Sequence, residues 1–377
     1  MGLRLQASIR VFILLSLVSM FADMAYEGAR SIVGPYLRHL DAVLIVAAAV
    51  SIGDLVSYTA RLAGGLVVHA ISTSRAYWGM VMLGYVINLA AVPLLALARS
   101  WEAVFALVMV ERLGKGLRAP ARDTILAEVS RGIGRGLAFS IHEVLDQAGG
   151  VTGPLIVGLL ASREGYSFRE AFLALTIPAV VAVALLLAAY SLYPRVKSAR
   201  RGPGEGGSLS LGFVVVALSG FLAMAGFVHW VQASYRLSYL GLGEVAYLYS
   251  IAMLIDAVSA LALGVLYDRL GPATVALVPV MACTATILLW HGSPVAFAAA
   301  WGAAMGGFES VYRSLVADSL EPGARGLGFG VAYFSMGAGW AVGNLLISAL
   351  DAMALPIVTL LEAGSIALIL AYSRLHS

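Results

Sequence analysis

The sequence is poor in charge, in lysine and in cysteine, and each shortage excludes something. Only 12% of its 377 residues are charged, about half the roughly 25% usual in soluble domains. The one cysteine, Cys283, lies inside an apolar run, which excludes a disulfide framework and a Cys-based metal site. Lysine occurs only at 115 and 197; every other base is arginine. Asn and Gln are very scarce, which fits a hot-environment source, although chains rich in apolar runs avoid these residues anyway. Enzyme motifs are absent: there is no P-loop, nucleophile elbow or His-Glu-x-x-His, and no polar region large enough to hydrolyse ATP. No cofactor, no metal and no enzymatic activity are expected.

What is present is apolar surface, 60% of the residues, gathered in long runs. A run of about 20 apolar residues is what a helix needs to cross the hydrocarbon core. Only helices and closed barrels satisfy their backbone there, and the absence of period-two alternation argues against a barrel. The net charge of +3 and pI near 9.0 do not point to nucleic acid. The bases sit mainly at the ends of apolar runs, where they set topology. The first run is too long and too acidic for a cleaved signal peptide.

Twelve spans are expected, near 8–38, 41–69, 75–97, 100–128, 132–162, 168–193, 210–236, 240–267, 273–292, 293–318, 323–350 and 353–374. His291-Gly292-Ser293-Pro294 is a tight turn between the ninth and tenth. The longest polar break holds Arg195, Lys197, Arg200 and Arg201 followed by a Gly-rich stretch, a flexible linker. The division is therefore 1–193, an N-terminal six-helix bundle; 194–209, a linker; and 210–377, a C-terminal six-helix bundle. The basic linker belongs in the cytoplasm under the positive-inside rule. Parity then puts both termini there, in a multi-pass protein of the cell membrane.

The two halves resemble each other. Ala127-Glu128, Arg135-Gly136-Leu137-Ala138-Phe139 and Gly153 match Ala317-Asp318, Arg325-Gly326-Leu327-Gly328-Phe329 and Gly343 at a constant offset of 190. Ser51-Ile52 to Gly65 matches Ser250-Ile251 to Gly264 at an offset of 199. Parallel repeats of six spans are a mark of secondary transporters; chance likeness between Ala/Gly/Leu-rich helices is the alternative.

Gly264-Val-Leu-Tyr-Asp268-Arg269-Leu-Gly271 resembles the loop motif of the major facilitator superfamily. In this motif the glycine permits close helix packing, the aspartate faces a helix N-terminus and the arginine anchors at the inner surface. The first copy is degraded: His69 and Ala70 follow Gly65 where Asp and Arg are expected, which removes the latch or makes it pH-sensitive. Gly149-Gly150-Val-Thr-Gly153-Pro154 resembles the Gly-Pro signature of that family's antiporters, with Val157 in place of a further Gly; generic small-residue packing is the alternative. Glu111-Arg112-Leu-Gly-Lys115-Gly116-Leu-Arg118, continuing to Arg122-Asp123, resembles a prokaryotic subgroup of the same family, with Ala121 between the Pro and the Arg-Asp. The resemblance implies an all-α major facilitator fold, with twelve transmembrane helices in two pseudo-symmetric six-helix bundles working by alternating access.

Charges inside spans are expensive and mark sites. Asp23 and Glu27 are four apart, hence on one helical face, with Arg30 in reach of Glu27. Two acids near midplane suit proton coupling; a Glu27–Arg30 pair beside a hydrated Asp23 is the plainer reading. Arg112 is read as the base that tunes these acids or binds an anion, or else as the partner of Glu111. Asp54 and Asp256 are candidate cavity residues. Arg118 and Arg122 read as inner-surface anchors. His229, Trp230 and Glu362 stand isolated. Tyr26, Tyr58 and Trp230 are candidate substrate contacts. The expected function is proton-coupled export of a small amphipathic or cationic organic compound by a monomer in the bilayer. Its partners would be that substrate, protons and lipid. Uptake or exchange of an organic anion through Arg112 and Lys115 is one alternative, and a non-transporting scaffold or sensor another.

Overall fold

The computed structural model describes residues 2–71, 73–130, 135–163, 166–193, 195–196, 209–321 and 324–376, without the side chains of 2–7, 69, 135–137, 139, 326 and 376. Most of the linker, 194 and 197–208, and the side chain of His69 therefore lie outside the described residues.

The described residues form helices α1 (Gly2–His39), α2 (Leu44–Ala49), α3 (Ile52–Ile71), α4 (Ser74–Leu94), α5 (Trp101–Val129), α6 (Arg135–Ala161), α7 (Phe168–Ala174) and α8 (Thr176–Leu192). They continue with α9 (Leu211–Gly226), α10 (Trp230–Arg236), α11 (Leu242–Leu270), α12 (Leu277–Trp290), α13 (Pro294–Glu309), α14 (Val311–Asp318), α15 (Arg325–Leu350) and α16 (Leu355–His376). Four spans are interrupted: α2 leads into α3, α7 into α8, α9 into α10 and α13 into α14. Counted this way the described helices make twelve spans. Among the described residues eight stretches are long and apolar enough to cross a membrane, and two of them, Leu242–Trp290 and Leu327–Leu375, each contain two spans. The charge-laden α5 and the broken α13–α14 complete the set.

Local chemistry explains the ends. Thr73 and Ser100 cap α4 and α5 by accepting backbone N–H bonds, as N-cap hydroxyls do. Ser167 and Glu170 form a capping box at α7. The turn before α13 has Gly292 at φ 67° and Pro294 in the first helical turn, where its missing N–H costs nothing.

The chain forms two compact units. One comprises Met1–Tyr36, Val56–Arg201 and Gly241–Ser250; the other Leu37–Leu55, Gly202–Leu240 and Ile251–Ser377. Each therefore includes a short segment from the other half of the sequence. Inside the first, α6 lies so close to α1 that a side chain at Gly149 or Gly153 would strike the Met20 or Met24 carbonyl. Inside the second, Gly339 and Gly343 of α15 meet the Phe221 and Ala225 carbonyls of α9 in the same way. Small residues let membrane helices approach backbone to backbone, and here the same approach occurs twice, at matching positions. Leu66, Leu159, Ile177, Leu261 and Leu360 are large apolar side chains left exposed on the spans.

Candidate functional site

In the first unit, α1 and α5 bring buried charge together. Glu27 is 4% exposed. Its carboxylate pairs with Arg30 at 3.1 Å and Lys115 at 3.5 Å and accepts the Tyr249 hydroxyl at 2.6 Å. Arg30 also donates to that hydroxyl at 3.4 Å. One turn earlier, Asp23 accepts the Tyr26 hydroxyl, and Lys115 stands over the Tyr26 ring, 4.2 Å from its centre. A carboxylate out of water needs this density of donors, so the helical spacing of Asp23, Glu27 and Arg30 translates directly into a network.

Arg112 turns elsewhere. Its guanidinium lies 3.2 Å from Glu111, and Glu111 also accepts the Asn88 amide at 2.6 Å. The α5 base that reaches Glu27 is Lys115, because three residues rotate a side chain by about 300° around the helix axis. Arg118, read from sequence as a surface anchor, is 1% exposed. It donates to Asn88 at 3.1 Å and stacks over Tyr85 at 3.9 Å, which is how guanidinium groups tolerate burial. Gly84 and Gly114 make room: a Cβ on Gly84 would lie 2.6 Å from that of Arg118, and one on Gly114 2.5 Å from the Asn88 nitrogen. Arg122 pairs with Asp123 at 2.9 Å and reaches Ser19 at 3.2 Å. Arg61 bridges to Asp123 at 3.1 Å. His142 meets Ser16 at 3.3 Å.

In the second unit the focus is the interruption between α9 and α10. The backbone of residues 227–229 leaves the helix, and side chains take over its hydrogen bonds, as a buried break demands. Phe227 O accepts Trp340 Nε1 at 2.9 Å and Asn344 Nδ2 at 3.1 Å. Val228 O accepts Trp301 Nε1 at 2.9 Å. Gly226 O accepts the Thr286 hydroxyl at 3.1 Å. The His229 N–H donates to Asn344 Oδ1 at 2.7 Å. His229 then reaches Asp54 through Nε2 at 3.1 Å. Trp230 packs on Phe297 and Trp301. Asp256 of α11 is fully buried, with its carbonyl against Gly306 of α13.

The motif glycines separate. A Cβ on Gly65 would find Pro120 at an ordinary 3.7 Å, and one on Gly264 would meet nothing within 4 Å. The close packing expected of Gly264 is thus absent, because its face of α11 is open. Asp268 and Arg269 are exposed at the end of that helix. Beside them, Tyr267 donates to Asp318 at 2.6 Å, and in the first unit Tyr193 donates to Glu128 at the same distance. Gly153 serves the α1–α6 approach, with Pro154 next to it inside α6.

The sequence did not disclose Asn88, Tyr249 or Asn344 as site residues. A signal existed for two of them: Asn88 and Asn344 are the chain's only asparagines, and both are fully buried. Among the described residues no cluster of His, Cys, Asp and Glu is arranged to hold a metal.

An uncharacterized protein of Mycobacterium tuberculosis is 34% identical over 348 residues, covering 88% of this chain and 84% of that protein. An uncharacterized MFS-type transporter of Methanocaldococcus jannaschii is 33% identical over 111 residues, 29% of this chain and 27% of that one. Among solved structures, a peptide transporter POT in complex with sulfate superposes with TM-score 0.78 at 14% identity, covering 97% of this chain and 94% of that one. The nucleoside transporter NupG superposes with TM-score 0.73 at 14% identity, covering 97% and 99%; at such identities the likeness is one of fold. The sequence profile of the Major Facilitator Superfamily matches residues 15–370, which takes in the α1–α5 charge network and the broken seventh span alike. This chain is a membrane-embedded secondary transporter and not an enzyme, and it belongs to the Major Facilitator Superfamily.

Proposed function

We propose that the protein exports a small amphipathic or cationic organic compound in exchange for protons. The observation that carries this reading is the α1 acid pair: Glu27 held by Arg30, Lys115 and Tyr249, with Asp23 one turn away on Tyr26. A carboxylate balanced by several partners changes its proton affinity when one partner leaves. Tyr249 comes from the second half of the sequence and the other partners from the first. Withdrawal of α11 from α1 would strip Tyr249 from Glu27 and so link protonation to access. Asp23 and Glu27 carry the proton or meet the substrate's positive charge, and Lys115 sets their balance. The protein works as a monomer in the cell membrane, with both termini and the basic linker in the cytoplasm.

Exchange of an organic anion is the second reading. Lys115 supports it, being one-third exposed and the point where the α5 bases reach open surface. Counterflow in liposomes separates the two: a cationic dye such as ethidium against an organic anion such as benzoate, each with and without an imposed pH gradient. Ethidium flux driven by the gradient supports proton-coupled export. Benzoate exchange indifferent to the gradient refutes it and supports the anion reading.

A further inference from the structure

Glu362 lies on α16 with 1% of its surface exposed. Among the described residues neither of its carboxyl oxygens has a hydrogen-bond partner. It presses against Gly226, the last residue of α9, where no side chain would fit. That places it at the negative end of a helix, just before the interruption at Phe227–His229. Among the described residues, the titratable groups facing it are the Cys283 thiol of α12 and the Tyr312 hydroxyl of α14. Tyr312 is engaged with Ser219 and Ser365, and Cys283 points to Thr359. Neither α9 nor α12 contains an Asp, Glu, Lys or Arg. His229, three residues beyond Gly226, directs its ring at Asp54.

An ionised carboxylate buried without donor or counter-charge is strongly disfavoured. At the carbonyl end of a helix it is disfavoured further. A neutral carboxylic acid fits the same place. We propose that Glu362 is a proton-binding site of the second unit, filled in this conformation and emptied when the break between α9 and α10 rearranges. The lever is direct, because the residue Glu362 touches is the last one before the break. Asn344 and Trp340 hold that break in its present form. Loosening them would admit water, and water is the acceptor a buried acid needs in order to ionise. The protonation claim is independent of the role given to Asp23 and Glu27; only its use in transport rests on that reading.

Infrared spectroscopy of the full chain in detergent at neutral pH tests this. The wild-type spectrum minus that of Glu362→Gln is expected to contain one carboxylic-acid carbonyl band. Asn344→Ala, or Trp340→Phe where the former does not fold, is expected to lose at least half of that band at the same pH. If Glu362→Gln does not fold, peptide-mapped labelling of the wild type with dicyclohexylcarbodiimide, which attacks protonated carboxyls in apolar surroundings, decides instead. An adduct on Glu362 supports the site. Absence of the band, or of the adduct, overturns it. A band that survives both break variants unchanged overturns its link to the break. None of these readouts uses substrate, so they fail or succeed separately from the liposome test of the α1 acids.

Discussion

Asp54 of α3 accepts a hydrogen bond from His229, 3.1 Å away, and the proton's position on that ring follows from the backbone. His229 Nδ1 accepts the N–H of Val231 at 3.2 Å, so a neutral ring carries its proton on Nε2, facing Asp54. Asp54→Ala leaves this buried N–H without a partner and should cost about 1–3 kcal/mol. Asp54→Asn keeps an acceptor oxygen and should cost clearly less. Melting temperatures in detergent rank the two; equal losses would mean that the hydrogen bond contributes nothing.

The asparagine behind the break does more than one job. Asn344 accepts from the His229 N–H and donates to the Phe227 and Trp340 carbonyls. Asn344→Asp retains the acceptor and loses the donor, while Asn344→Ala loses both. Leaving the buried His229 N–H unsatisfied in Ala costs about 1–3 kcal/mol, but Asp sets a buried carboxylate against two carbonyl oxygens, which costs more at neutral pH, so Asp should destabilise more than Ala. Thermal unfolding followed by tryptophan fluorescence measures this, with Trp340 itself beside the site.

Glycines that look alike in the sequence should behave in opposite ways. Gly153→Ala and Gly343→Ala drive a methyl into the Met24 and Ala225 carbonyls, and overpacking of this kind costs about 1–3 kcal/mol. Gly264→Ala meets open space and should leave stability unchanged or raise it by up to about 1 kcal/mol, the helix-interior gain of alanine over glycine. Paired melting curves of the three variants check the contrast.

That contrast marks the limit of what could be read in advance. Spans, charge positions and the offset between Gly153 and Gly343 are local or periodic, so the sequence exposes them. The Glu27–Arg30 pair is likewise a matter of helical spacing. Whether a glycine faces a neighbour depends on which helix lies opposite, and a single sequence does not say. Arg112 and Lys115 illustrate the same point: both sit on α5, but only the packing of α1 decides which reaches Glu27. Tyr249 is more than two hundred residues from its partner and carries no mark of its role. The break after Gly226 has no proline to announce it, and its cause lies in indole and amide side chains far along the chain.

Arg118 offers a test of burial against surface anchoring. A surface anchor tolerates lysine. An arginine sandwiched on Tyr85 and hydrogen-bonded to Asn88 does not, because lysine has neither the flat face nor the fork. Arg118→Lys should cost about 1–2 kcal/mol, the loss of one charged hydrogen bond, and Asn88→Ala should abolish much of the difference between Arg and Lys. A double-mutant cycle on melting curves measures the coupling.

Glu27 is the position where stability and transport should part. Glu27→Gln leaves Arg30 and Lys115 adjacent without their shared anion. Breaking a buried pair from one side costs about 3–5 kcal/mol, so this variant should melt well below the wild type. Lys115→Met removes a partly exposed partner at 3.5 Å and should cost no more than about 1 kcal/mol. Transport should rank them otherwise. If Glu27 and Asp23 carry the proton, Glu27→Gln and Asp23→Asn each lower gradient-driven ethidium flux by at least about tenfold, equivalent to about 1.4 kcal/mol. Lys115→Met keeps the flux and shifts only its pH dependence, since it alters the balance around Glu27 without removing the group that titrates. Flux that is unchanged in both acid variants, measured on protein shown to be folded, would leave the α1 network as a structural clasp between helices.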